Sequence, residues 1–219
     1  MPRLLFEKTG KAIWVSHLDL MRLFQRAFKR AGLMLTHTHG FNPRPSVSIA
    51  LPLSVGITSY CELLDFELDG DPVEMDEICT RLNAVLIDGL RVREAYDDGR
   101  KLKDLALLRS TLIFEYDCGI PQGAAEALRN LFDREILTVP KRTKNGMQDQ
   151  DLIPLIKNID IVIHDANILS VSVLAYCQNP TLNPMQIAVA VNHYLPEFAP
   201  DFSSCTRNEI YDIRESVFR

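Results

Sequence analysis

Hydrophobic and polar positions switch between two periods along this chain, and each switch marks an element. Arg3–Glu7 and Ala12–Val15 read as extended, with Thr9-Gly10-Lys11 as a turn between them. From Leu20 the apolar positions fall at helical spacing: Leu20, Leu23, Phe24, Ala27, Phe28 and Ala31. Ser16 stands where an N-cap belongs, and Asp19 completes the Ser-x-x-Asp pattern of a capping box. Gly32 is placed to end this helix. Leu33–Thr38 then reads as extended, Gly40–Pro45 as a loop and Val47–Leu51 as a strand. Leu64, Phe66 and Leu68 alternate with Asp65 and Glu67, the pattern of a half-buried strand. Asp71-Pro72 opens a second helix with Met75, Ile78, Leu82, Val85 and Leu86 on its core face. Gly89 stops it, and Leu90–Ala95 is a further strand.

The same order then recurs. Asp97–Leu107 is a charged connector. A strand at Thr111–Cys118, a helix at Pro121–Phe132, extended segments at Ile136–Pro140 and Ile159–His164, a strand at Ile168–Cys177, a helix at Met185–Leu195 and a strand at Thr206–Ile213 follow. An irregular, basic-to-polar insertion separates the two extended segments. Strand, helix, strand, strand, helix, strand is the split βαβ order. The fold expected is α+β, with two tandem ferredoxin-like (βαββαβ) units, residues 1–103 and 104–219.

Composition adds three constraints. With 219 residues, 47% of them hydrophobic and 24% charged, the chain has material for two ordinary cores. No apolar run reaches membrane-spanning length, and the first residues read as a strand rather than a signal peptide, so a cytoplasmic protein with no membrane partner is expected. The five cysteines, Cys61, Cys79, Cys118, Cys177 and Cys205, lack the close spacing of a zinc or iron–sulfur site and read as free thiols.

Charge changes the picture more. The net charge is −5, yet residues 1–60 hold eight basic residues (Arg3, Lys8, Lys11, Arg22, Arg26, Lys29, Arg30, Arg44) against Glu7 and Asp19. That is 8 − 2 = +6, which leaves −11 for the remainder. An anionic partner for the N-terminal part is the physical reading. Arg22, Arg26 and Lys29 recur at spacings that share one helix face, and Arg30 adjoins them. Guanidinium groups match phosphate oxygens in pairs, so this face suits phosphates; a plain solvated helix face is the alternative. Gly40-Phe41-Asn42-Pro43-Arg44-Pro45 is stiffened by two prolines. It offers Phe41 to stack on a base and Arg44 to take a phosphate, unless Phe41 plugs the loop onto the core. Lys141, Arg142 and Lys144 make a second basic loop, either a clamp on the same ligand or a charged hairpin tip. His17, His37 and His39 with Asp19 are the candidate metal set, with no accompanying carboxylate pattern. No nucleophile elbow, phosphate-binding glycine loop or set of RNA-recognition-motif aromatics is present.

Ser16-His17-Leu18-Asp19-Leu20-Met21-Arg22, Arg26-Ala27, Arg30-Ala31, Gly40-Phe41-Asn42-Pro43-x-Pro45 and Leu53-x-Val55-Gly56 together resemble the radical-SAM-linked protein family. Lys141-Arg142-Thr143-Lys144-x-Gly146, Asp151 and Thr206-Arg207-x-Glu209 extend the resemblance over nearly the whole chain. Where the family often has a lysine after the loop's second proline, this chain has Ser46. The resemblance implies a domain fused to, or encoded beside, radical S-adenosylmethionine enzymes, with no known activity of its own. The chain has no Cys-x3-Cys-x2-Cys, so S-adenosylmethionine and an iron–sulfur cluster are implied only on a partner, and no cofactor is expected on this chain.

The function expected is therefore a non-catalytic binding module that presents an anionic substrate, RNA above all, to a radical SAM enzyme. Its ligand-binding residues would be Ser16, His17, Asp19, Arg22, Arg26, Lys29, Arg30, Phe41, Asn42, Arg44, Lys141, Arg142 and Lys144. The alternatives are a small-pocket enzyme built on Ser16, His17, Asp19, His37 and His39, and a pure protein–protein adaptor.

Overall fold

The computed structural model describes residues 2–39, 41–143, 146–178 and 180–219, and of Arg142 and Thr143 it describes the backbone alone. Among the described residues the fold is mixed α+β with four α-helices. It divides into two compact units, Met1–Asp104 with Phe218–Arg219, and Leu105–Val217.

In the first unit, β1 (Arg3–Lys8) leads through a 3-10 turn (Gly10–Trp14) into α1 (His17–Arg30). Then come β2 (Val47–Ile49), β3 (Thr58–Phe66), α2 (Met75–Asn83) and β4 (Leu90–Tyr96). The strands lie in the order β4-β1-β3-β2, and every neighbouring pair is antiparallel. Both helices pack on one face. Leu20, Phe24, Ala27 and Phe28 from α1, and Ile78 and Leu82 from α2, meet Leu4 and Phe6, Leu64 and Phe66, and Leu90 and Val92. Phe6 meets Phe24 edge-on at 4.7 Å between centroids, and Phe28 meets Phe66 at 5.2 Å.

The opposite face of the central strands is buried as well. It carries Arg3 and Leu5 on β1 opposite Asp65 and Leu63 on β3, all no more than 9% exposed. Arg3 Nε lies 2.5 Å from Asp65 Oδ1, and Nη2 also donates to the Arg100 carbonyl at 2.8 Å. The Phe218 ring closes over this guanidinium at 5.5 Å and over that of Arg100 at 5.1 Å. Lys8, 1% exposed, donates to the Ile13 carbonyl at 3.1 Å and the Val15 carbonyl at 2.8 Å. Its ammonium thereby closes the C-terminal end of the 3-10 turn, which explains why Ala12–Val15 coils instead of extending as its pattern predicts.

The second unit contains β5 (Leu105–Glu115), α3 (Ala124–Phe132), β6 (Thr138–Thr143), β7 (Gly146–Asp151), β8 (Ile156–Ile163), β9 (Ile168–Tyr176), α4 (Gln186–Tyr194) and β10 (Phe202–Asp212). Four strands lie in the order β10-β5-β9-β8, again antiparallel throughout. Leu112, Phe114, Val171 and Val173 on the sheet, Leu128 and Leu131 on α3, and Ile187 and Val191 on α4 are all buried. The insertion expected to be irregular is a regular hairpin, β6 against β7. Its base is tied down: Val139 is fully buried, Tyr194 Oη donates to the Thr138 carbonyl at 2.8 Å, and Asp151 Oδ1 accepts from the Leu137 and Ile153 amides.

Among the described residues, no helix is long and apolar enough to cross a membrane.

Candidate functional site

Helix α1 begins as its sequence predicts. Ser16 is extended at φ −68°, ψ 159°, and its Oγ accepts from the Asp19 amide at 3.2 Å. The same hydroxyl donates to Asp19 Oδ2 at 2.7 Å. Arg22 Nη1 donates to Asp19 Oδ1 at 3.2 Å. The Ser16 hydrogen bond, aided by Arg22 and Arg26, holds the Asp19 carboxyl below the ordinary aspartate range. Ser16 and Asp19 thus satisfy each other and the helix end. His17 occupies the first helical position, half-buried.

Beyond that cap the solvent face of α1 is basic. Arg22, Arg26, Lys29 and Arg30 are all exposed, on the side away from Leu20, Phe24, Ala27 and Phe28. Lys29 and Arg30 fall in the last turn, where a cation suits the negative end of the helix dipole. The row from Arg22 to Lys29 spans seven residue steps, about 10 Å along the axis. Of the eight basic residues before position 60, Arg3 and Lys8 are internal, so the surface charge of this segment is smaller than its sequence total. Lys11, Arg22, Arg26, Lys29, Arg30 and Arg44 are the ones that face water.

Residues 36–39 and 41–46 pair as a narrow hairpin. Thr38 N donates to the Arg44 carbonyl at 2.8 Å, Arg44 N to Thr38 Oγ1 at 3.1 Å, and Ser46 N to the Thr36 carbonyl at 2.8 Å. Its base is fastened to the residue after β3, because Thr36 N donates to the Glu67 carbonyl and Glu67 N to the Ser46 carbonyl. Phe41 is 105% exposed, so it does not plug the loop onto the core. Asn42 and Arg44 are exposed beside it, while Gly40 lies outside the described residues. His37 and His39 sit exposed on one arm. No group of three or more histidine, cysteine or acidic side chains among the described residues is arranged to hold a metal ion.

In the second unit, Lys141 is half-buried on β6, directly across from Gln148. The side chains of Arg142 and Lys144, both expected to bind, lie outside the described residues. Hydrogen bonds therefore join Ser16, Asp19 and Arg22, one hairpin carries Phe41, Asn42 and Arg44, and a second hairpin in the other unit carries Lys141.

Two features of the first unit escape a reading of its sequence. Trp14 is 68% exposed and Leu18 66%, flanking the start of α1. The buried cations Arg3 and Lys8 stand in a strand whose period gives no warning of them. A lone tryptophan beside a capping box was a visible signal; the partners of Arg3 and Lys8 were not.

No curated protein matches the sequence. Over 95% of its length the chain superimposes on a chain in the crystal structure of a Cbf5-Nop10-Gar1 complex, at 8% identity and a TM-score of 0.52. It covers 48% of that chain, about half its length, and the likeness is one of fold. A crystal structure of an unknown protein from Galdieria sulphuraria matches at 9% identity over 94% of this chain and 96% of that one, with a TM-score of 0.27. The family model for an uncharacterized protein conserved in bacteria, DUF2344, matches residues 2–184, and the chain belongs to that family.

Proposed function

We propose that this chain is a non-catalytic binding module that presents an anionic substrate, RNA, to a separate radical SAM enzyme. The observation that carries the anionic half of this reading is the solvent face of α1. Four cations line it, and among the described residues the ion pair on this face joins Arg22 to Asp19. Exposed surface ion pairs stabilise a fold by ~0–1 kcal/mol, so a row of cations adds little to folding. Phe41, fully exposed on a hairpin fastened at its base, supports RNA over a simple anion, because a ring in water gains by stacking on a base. The sheet itself offers no such platform: the face of β1 and β3 turned away from the helices is buried around the Arg3–Asp65 pair.

The strand orders β4-β1-β3-β2 and β10-β5-β9-β8 support reading each unit as ferredoxin-like, the second with the β6–β7 hairpin inserted before its second strand. The partner half rests on the resemblance of the Ser16–Gly56 block. S-adenosylmethionine and the cluster belong to that partner, and the residues of this chain bind and orient.

The test is titration of the nuclease-treated protein with labelled bulk RNA at several salt concentrations. The logarithm of affinity should fall linearly with the logarithm of salt, with a slope of ~0.7 per phosphate contact on a single strand. Affinity independent of salt, or no binding at low salt, contradicts the RNA reading. Co-purification with the enzyme after nuclease treatment would then favour a protein adaptor.

A further inference from the structure

We infer that Trp14 is a base-stacking platform, and that a single-stranded RNA segment runs from it along the basic face of α1. The inference rests on the RNA reading above and assigns the end of that site to a residue outside the basic helix and both basic loops.

Trp14 closes the 3-10 turn and is the only tryptophan in the chain. It is held in place without being covered. The edge of its ring lies on Gly56: a Cβ built on that glycine would sit 3.3 Å from Trp14 Cζ3 and 3.7 Å from Cη2. Gly56 has φ +85°, a conformation side chains rarely adopt, so both its backbone and its missing Cβ suit this contact. The backbone on either side of Trp14 is fixed as well. Gly56 N donates to the Ile13 carbonyl at 2.9 Å, and the buried Lys8 ammonium holds the Ile13 and Val15 carbonyls.

A large ring on a rigid backbone, still 68% exposed, loses little freedom when a flat partner covers it. Leu18, four residues after Trp14, and Val55, next to Gly56, are 66% and 52% exposed and add apolar surface. On α1 the row through Leu18, Arg22 and Lys29 falls at spacings of four and seven residues, hence on one side of the helix, and Arg26 adjoins it. From Leu18 to Lys29 is about 16 Å along the axis. An aromatic face at one end of a row of cations is how single strands are bound without sequence readout: bases stack, phosphates follow the charge. A wholly apolar partner would leave those cations desolvated and unpaired, and a duplex would keep its bases away from the ring.

Because Trp14 is the lone tryptophan, its emission reports on this site directly. The full chain is titrated with dye-labelled oligouridine, following both the dye anisotropy and the tryptophan emission. The expected result is quenching of Trp14 with the same midpoint as the anisotropy change. Trp14→Leu should then bind ~5- to 150-fold more weakly, the range for loss of one stacked base, with an unchanged salt slope. Trp14→Phe should recover part of the loss. RNA binding with no change in emission, and wild-type affinity in Trp14→Leu, overturns the platform and leaves the RNA module standing. No RNA binding at low salt overturns both. Quenching by polyglutamate but not by oligouridine overturns the RNA strand in favour of an acidic protein partner. The quenching arm needs no variant, so it stands whatever Trp14→Leu does to folding.

Discussion

Basic side chains do opposite work in two regions of the first unit. On the buried strand β1, Arg3 and Lys8 are each 1% exposed, and each has its charge answered by a fixed partner, a carboxylate for Arg3 and two carbonyls for Lys8. On the solvent face of α1, Arg22, Arg26, Lys29 and Arg30 stand in water, with Asp19 paired to Arg22. A buried charge is very expensive to leave unpaired, so the first group is tied to folding. An exposed charge is nearly neutral to stability, so the second group is free to serve a ligand. A total of +6 in the first 60 residues hides this division.

The comparison can be broken most sharply at Asp65. Asp65→Ala would strand the Arg3 guanidinium inside the unit and should destabilise the fold by about 3–5 kcal/mol, measured by urea denaturation. Arg3→Met with Asp65→Leu, which removes both charges together, should recover most of that loss.

Buried titratable groups extend the contrast into the second unit. Burial pushes the Cys177 and Cys205 thiols up to about 12, with the nearby Arg207 pulling the other way. The folded state therefore holds these protons more tightly than the unfolded chain. Their contribution is fully present below the ordinary thiol value of 9.0 and is lost as pH rises from there toward 12. The urea midpoint should fall as pH rises above 9.0 and fall less in Cys177→Ala with Cys205→Ala. Asp19 has the opposite sign, since its lowered carboxyl helps above the ordinary 3.8 and ceases to help as pH drops below it.

Smaller effects belong to the exposed helix. Ser16→Ala removes the cap and should cost about 1 kcal/mol. Arg26→Gln with Lys29→Gln should move stability by no more than ~0.5 kcal/mol. Thermal melting of the two variants sharpens the line between a helix that needs its cap and a helix that does not need its cations.

How much of this was legible depends on the range of the interactions. The start and end of α1 could be read because the cap, the apolar row and Gly32 are all local. The Gly40–Pro45 loop was recognisable from Pro43 and Pro45, but the pairing of its flanks and their backbone bonds to Glu67, which hold the base of the loop, are encoded by no local pattern. Strand β3 starts at Thr58, earlier than expected, because the buried Ser59 and Glu62 break its alternation. Asp65 lies on the face its alternation predicts, but that face is buried rather than wet, and its partner Arg3 is 62 residues away. A charged hairpin tip at Lys141–Lys144 was one of two readings, but the returning strand β7 went unread because it is largely exposed, which removes the apolar alternation that marks a strand. Of the site, the helix cations were visible as composition, and their separation from Arg3 and Lys8 required the fold.

The central claim is that the α1 cations hold phosphates, and the salt dependence of RNA binding in Arg26→Gln with Lys29→Gln tests it most directly. The account predicts a log–log salt slope shallower than that of the wild type by ~1.4, two single-strand phosphate contacts, with an unchanged melting temperature. An unchanged slope and affinity in a folded variant would contradict it.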